Sequence, residues 1–241
     1  MIFGRKKAVS STSQTSSVEE QSATEADDVD EELVDDASDP IDQDATADPW
    51  VEFDLSADWR EDGPFDIDEV DLDSDEVSRV DLGSLIITPD KGLTIKLVAT
   101  PGGDPTHMIV ENGPQSAMQI TVFAAPADVN YAAQIRQELV DHTDNATVIE
   151  MEKGPFGTEL RRVIAVSDEQ GHEGFAPLRD WVISGPRWVL DVRLMGQAAV
   201  DSEGEGPAAQ LEEFVRNLIV RRGDTAMVPG AAVPMKPQTT K

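Results

Sequence analysis

The chain has 241 residues, with 48 Asp and Glu against 19 Lys and Arg, a formal net charge of −29 and no cysteine. Without Cys there are no disulfides, thiolate metal sites or Cys nucleophiles, and so acidic a chain would repel the phosphates that supply most non-specific nucleic-acid affinity. No run approaches the roughly 20 apolar residues of a membrane-spanning helix, and the basic opening of residues 1–14 lacks the apolar stretch of a secretory signal, so a cytoplasmic location is expected.

Acidity is concentrated near the start. Residues 18–76 hold 26 Asp and Glu and one basic residue, Arg60. Such a stretch has too little apolar surface to offset a backbone ordering cost of roughly 1–2 kcal/mol per residue. Residues 1–62 are therefore expected to form a disordered arm, strongly acidic from residue 18, and residues 63–80 an acidic linker. Trp50, Phe53 and Trp59 interrupt the acidic background. They fit a segment that docks in a partner's groove, and they fit equally a segment that packs on its own domain, to which the tether holds it at high local concentration.

A single domain is expected over residues 81–223, with a tail over residues 224–241. Residues 82–88 read as a strand, closed by the turn Pro89-Asp90-Lys91-Gly92. Leu93, Ile95 and Leu97 then alternate with polar residues as on a half-buried strand, and further strands are expected around 108–111 and over 117–124. Tyr131, Ile135 and Leu139 form a helical stripe with Asp128 or Asn130 as its cap, leaving Arg136 off it. Strands over 147–153, 158–167, 178–184 and 188–195 follow, the outer pairs joined by Gly154-Pro155-Phe156-Gly157 and Gly185-Pro186-Arg187. Links this short suit antiparallel neighbours, hence a meander. A last helix opens at Pro207 and carries Leu211, Phe214, Val215 and Leu218 on one face before a short strand at 219–222. The expected class is α+β: an antiparallel sheet covered by two helices, preceded by the disordered acidic arm. Its core should include Ile120, Val122, Ile135, Leu139, the stripe of Leu160 or Arg162 with Ile164 and Val166, Trp188 and Phe214.

Several words in fixed order carry a resemblance: Asp81-Leu82-Gly83-Ser84-Leu85, Phe123-Ala124-Ala125-Pro126, Gly154-Pro155-Phe156-Gly157-Thr158-Glu159-Leu160, Gly185-Pro186-Arg187-Trp188 and Val220-Arg221-Arg222-Gly223. With the opening Met1-Ile2-Phe3-Gly4-Arg5-Lys6-Lys7 and Gly63-Pro64-Phe65-Asp66, they make the chain similar to an actinobacterial family recorded as a domain of unknown function, DUF3710. That resemblance implies no catalytic or ligand residues, although members are often encoded beside a dUTPase and a small OB-fold protein. The element order is also similar to the Mog1/PsbP-like layout, by analogy of topology alone.

Chemistry-bearing constellations are sparse. His107 in a Gly/Pro loop, His142 near a helix end and His172 in a polar link have no second His at ligand spacing. Asp71, Asp73 and Asp75 have the 1, 3, 5 spacing of a calcium loop, but Glu76 and Leu82 stand where Gly and a bidentate Glu belong. No cofactor and no metal is therefore expected. Arg161, Arg162, Arg187, Arg221 and Arg222, with Trp50, Phe53 and Trp59, are the candidate partner or anion contacts; alternation places Arg161 and Arg162 on opposite faces of a strand. The reading that follows is a non-enzymatic binding or regulatory module acting on an unknown protein partner. Its rivals are a hydrolase linked to nucleotide metabolism and nucleic-acid binding masked by the arm.

Overall fold

The computed structural model describes residues 48–99, 102–127, 130–168, 170–201 and 206–236. Most of the expected arm, and Asp128 as a cap, lie outside the described residues. In chain order the elements are α1 (Pro49–Leu55), β1 (Phe65–Asp66), a 3-10 turn (Ile67–Glu69), β2 (Val80–Asp81), β3 (Leu85–Ile87), β4 (Thr94–Ala99), β5 (Pro105–Glu111) and β6 (Ser116–Ala124), followed by α2 (Tyr131–Asp141). Then come β7 (Ala146–Gly154), β8 (Gly157–Ser167), β9 (Glu173–Gly185), β10 (Trp188–Gly196), the single turn α3 (Gln197–Val200), α4 (Gly206–Arg216) and β11 (Ile219–Val220).

The main sheet has seven antiparallel strands in the order β4-β5-β6-β10-β9-β8-β7. Its second half is the expected meander, with Gly154 pairing Gly157 and Gly185 pairing Trp188 at the hairpin ends. Gly185 has a steric cause: a Cβ there would lie 2.1 Å from the Trp188 ring.

Alternation along the strands sends side chains to opposite faces. Met118, Ile120, Val122, Leu190, Val192 and Leu194 join Leu211, Phe214 and Val215 of α4, and Leu218 just after it, in the larger core. Val182 and Val189, on the other face, meet Tyr131, Ala132 and Ile135 of α2, with Phe123 and Leu139 packed beside them. Each main helix thus covers one face. The fold is α+β, an antiparallel sheet covered by two helices. Val166 is 40% exposed and outside the core, because β8 runs past the end of α2. His107 sits on β5 rather than in a loop.

A second, four-stranded sheet has the order β1-β11-β3-β2, with β1 and β11 parallel. It overturns the reading of residues 63–80 as a linker. Phe65, Ile67, Val70 and Leu72 pack with Ile86 and Ile219, while Asp66, Glu69 and Asp75 find partners. Asp66 accepts a bond from Trp188 Nε1 at 2.7 Å and closes a capping box with Glu69, and Asp75 holds Arg79 through two bonds of 2.8 Å. Asp75 is thereby committed to an ion pair, and among the described residues no group of three or more His, Asp or Glu is placed to hold a metal.

Residues 231–236 are likewise bonded to the domain rather than forming a tail. Val233 N–H donates to Val122 at 2.7 Å and Ala124 N–H to Ala231 at 2.9 Å, extending the β6 ladder beyond Thr121, where its pairing with β5 stops. Val233 and Met235 are buried. No helix among the described residues is long and apolar enough to cross a membrane.

Candidate functional site

The last residues of the expected arm, 48–62, lie on the domain. Asp48 caps α1 by accepting from Trp50 N–H at 2.9 Å, and Pro49 takes the first helical position, where its missing N–H costs nothing. None of the side chains in this helix is fully buried: Leu55 is 74% exposed, and Trp50, Val51 and Phe53 are half-buried.

Asp54 carries the docking. Its Oδ1 accepts the Thr158 backbone N–H at 2.8 Å, and its Oδ2 accepts from Arg136 Nη2. Thr158 Oγ1 donates to the Trp50 carbonyl at 3.3 Å. Gly157, at φ 101°, makes room: a Cβ there would lie 2.9 Å from Asp54 Oδ1. Phe53 packs against Trp59 with the rings tilted at 48° and their centroids 4.7 Å apart, and it lies 5.2 Å beneath Lys153 Nζ, a cation–π distance. Arg60 lies 5.3 Å over the Trp188 ring and binds Glu69 with both terminal nitrogens, which fixes the far end of the segment.

Arg136 is 2% exposed. A buried guanidinium needs an anionic partner, and the one it has comes from Asp54, 82 positions earlier in the chain. The helical stripe through Tyr131, Ile135 and Leu139 did not include it. The available signal was Ala132, which is buried one helical turn before Arg136 on the same line of α2.

Between this segment and the sheet lies a cleft of about 500 Å³. Asp54, Asp58, Trp59 and Arg60 form one wall, and the opposite wall is Pro126, Asn130, Tyr131, Phe156, Val182 and Trp188 with their neighbours. Asn130 Oδ1 caps α2 through Ala133 N–H, which leaves Nδ2 buried without a partner. Among the lining residues, the domain outside residues 48–62 supplies one ionisable side chain, Tyr131.

The arginines are dispersed. Arg161 pairs with Glu159 and Glu152 on one face of β8, while Arg162 on the other binds Asp180, Thr143 and the Leu139 carbonyl. Arg221 grips Asp81 and the Gly83 carbonyl, Arg222 donates to the Thr225 carbonyl, and Arg187, in the left-handed region at φ 62°, lies 3.9 Å from Asp224. Of the eight candidate contacts, Trp50, Phe53 and Trp59 are brought together; the five arginines are not. His142 Nδ1 lies 2.7 Å from the Glu138 carbonyl, and His172 Nδ1 lies 2.8 Å from Asp168.

Fold and groove define an antiparallel α+β sheet domain with an acidic, aromatic segment seated against one face. The chain belongs to the family described as Protein of unknown function (DUF3710), whose model matches residues 63–241. The seated segment lies outside that match. No curated protein matches the chain. Among solved structures it is similar to a protein of Bacteroides thetaiotaomicron VPI-5482, at 15% identity and a TM-score of 0.37, over 61% of this chain and 47% of that one. The chain thus spans about half the length of that neighbour. It is also similar to the cyanobacterial PsbP protein of Synechocystis sp. PCC 6803, at 9% identity and a TM-score of 0.33, over 59% of this chain and 91% of that one. A third neighbour is the Ran-binding protein Mog1p of Saccharomyces cerevisiae, at 16% identity and a TM-score of 0.36, over 59% and 94%.

Proposed function

We propose that this protein is a non-enzymatic binding module whose groove receives a short acidic, aromatic helical segment of a protein partner, and that residues 48–62 occupy the groove in cis. The observation that carries this reading is Arg136, a buried cation within the family domain whose counter-ion is delivered by Asp54 from outside the stretch matching the family. The contacts are of the kind that specify a peptide: one charge-assisted bond, one backbone N–H, an aromatic ring under a lysine and an arginine over a tryptophan. The ionisable groups that the domain presents to Asp54 and Phe53 are Arg136 and Lys153, both cations, which favours recognition of an acidic segment over acid–base chemistry, which needs convergent groups of matched pKa.

The test is a fluorescence titration with a labelled peptide of residues 48–62. Asp54→Ala with Trp59→Ala in the full chain weakens the seated segment but leaves the groove intact. That variant should bind the peptide at least about tenfold more tightly than the unaltered chain, a difference of about 1.4 kcal/mol, and adding Arg136→Met should abolish the gain. Equal, weak binding by all three proteins would show that residues 48–62 are structural only.

A further inference from the structure

A second cavity, of about 240 Å³, lies between α2 and the sheet, away from the groove. Its apolar lining is Phe123, Ile135 and Leu139, and its polar lining is Asp191, Glu138 and His142. Asp191, 7% exposed, stands on β10 with its Oδ1 buried and without a hydrogen-bond partner. An orphaned buried carboxylate costs free energy.

The nearby cations do not satisfy it. Arg162 Nε and Nη2 both bind Asp180 Oδ2, at 3.0 and 2.6 Å, and Arg193 Nε binds Asp180 Oδ1 at 2.7 Å. The polar groups facing the cavity are acceptors. Glu138 is a carboxylate, and His142, with Nδ1 directed at the Glu138 carbonyl at 2.7 Å, presents Nε2 as an acceptor when neutral. Three acceptors around an apolar chamber complement a donor cation on a short hydrocarbon chain, and the volume excludes anything large.

We propose that this cavity binds a small primary alkylamine in its ammonium form, with Asp191 as the anionic anchor and Phe123, Ile135 and Leu139 enclosing the alkyl chain. Binding supplies the hydrogen bond and the charge that Asp191 lacks. Burial, reinforced by the neighbouring Asp180 and partly offset by Arg193 and Arg162, pushes the Asp191 carboxyl up to about 7. The other titratable groups around it are Glu138 and His142 on α2 and, two strands away in the same cross-strand row, His107. The ammonium, at a pKa of about 10.4, stays charged throughout, so affinity should follow the ionisation of Asp191.

The experiment is an NMR titration of the full-length ¹⁵N-labelled protein with n-butylamine, and with n-butanol as the neutral isostere, at about pH 8 and about pH 6. The amine should shift the amides of Ile135, Leu139 and Gly230 saturably. Its affinity should fall about tenfold between the two pH values, as expected for one carboxyl titrating near 7, and butanol and the Asp191→Asn protein should each bind at least about tenfold more weakly. Absence of localised shifts, equal binding of butanol, or unchanged affinity in Asp191→Asn would overturn the proposal. Should Asp191→Asn fail to fold, the amine–alcohol and pH comparisons on the unaltered protein decide the question.

Discussion

Two carboxylates of the main sheet, one on β8 and one on β10 with β9 between them, respond to pH in opposite directions. Glu159 loses solvation on burial, which alone would raise its pKa, but Arg179, Arg161 and Trp181 all donate to it and together hold it below the ordinary value. Asp191 is pushed up to about 7 from 3.8 because burial, reinforced by the neighbouring Asp180, outweighs the attraction of Arg193 and Arg162. Stability from Glu159 is therefore present above its unfolded pKa and lost as pH falls through the folded one, whereas Asp191 opposes folding once pH rises above about 4 and does so fully above about 7. At 1.36 kcal/mol per pH unit, the Asp191 penalty is on the order of 4 kcal/mol. Asp191→Asn should accordingly raise Tm at about pH 8 and give much less gain at about pH 4; thermal melts across that range check it, and a pH-independent effect would show that Asp191 is satisfied in solution.

At the scale of elements, α4 is held by its buried face rather than by its ends. Leu211 and Val215 are 0% exposed and Phe214 5%, so Phe214→Ala should cost about 3–5 kcal/mol of unfolding free energy in denaturant titrations. Helix α1 is the opposite case. With no buried side chain, it stays in place through Asp54, the Thr158 N–H and the Arg60–Glu69 pair. Asp54→Ala should therefore free the segment at little cost to the global fold, because Arg136 gains water when the segment leaves, whereas a sealed guanidinium would cost several kcal/mol. Exchange of the Thr158 amide should accelerate in that variant while core amides on β10 keep their protection.

For the whole molecule, the relevant boundary is the one between seated segment and solvent. Brief trypsin digestion should leave Arg60 uncut in the unaltered chain, since its guanidinium is engaged by Glu69, the Pro64 carbonyl and the Trp188 ring. The Asp54→Ala, Trp59→Ala protein should be cut there first, giving a fragment that begins at Glu61. Cleavage at Arg60 at equal rates in both, read by intact mass, would show that the segment is not held.

The sequence by itself determined what depends on local spacing. Period-two alternation located the strands, three- and four-residue spacing located α2 and α4, and hairpin links too short for a crossover made residues 146–196 a meander. The same pattern placed Arg161 and Arg162 on opposite faces. Only the tertiary structure decided the rest, because it rests on pairings between residues far apart in the chain. Charge counting could not foresee that the acids of residues 63–80 have Arg60, Arg79 and Trp188 as partners, or that a two-residue strand at 219–220 pairs with both 65–66 and 85–86. The pairing of Asp54 with Arg136 and the isolation of Asp191 belong to the same class: an ionic partner, or its absence, is a property of folded geometry, and no local period records it.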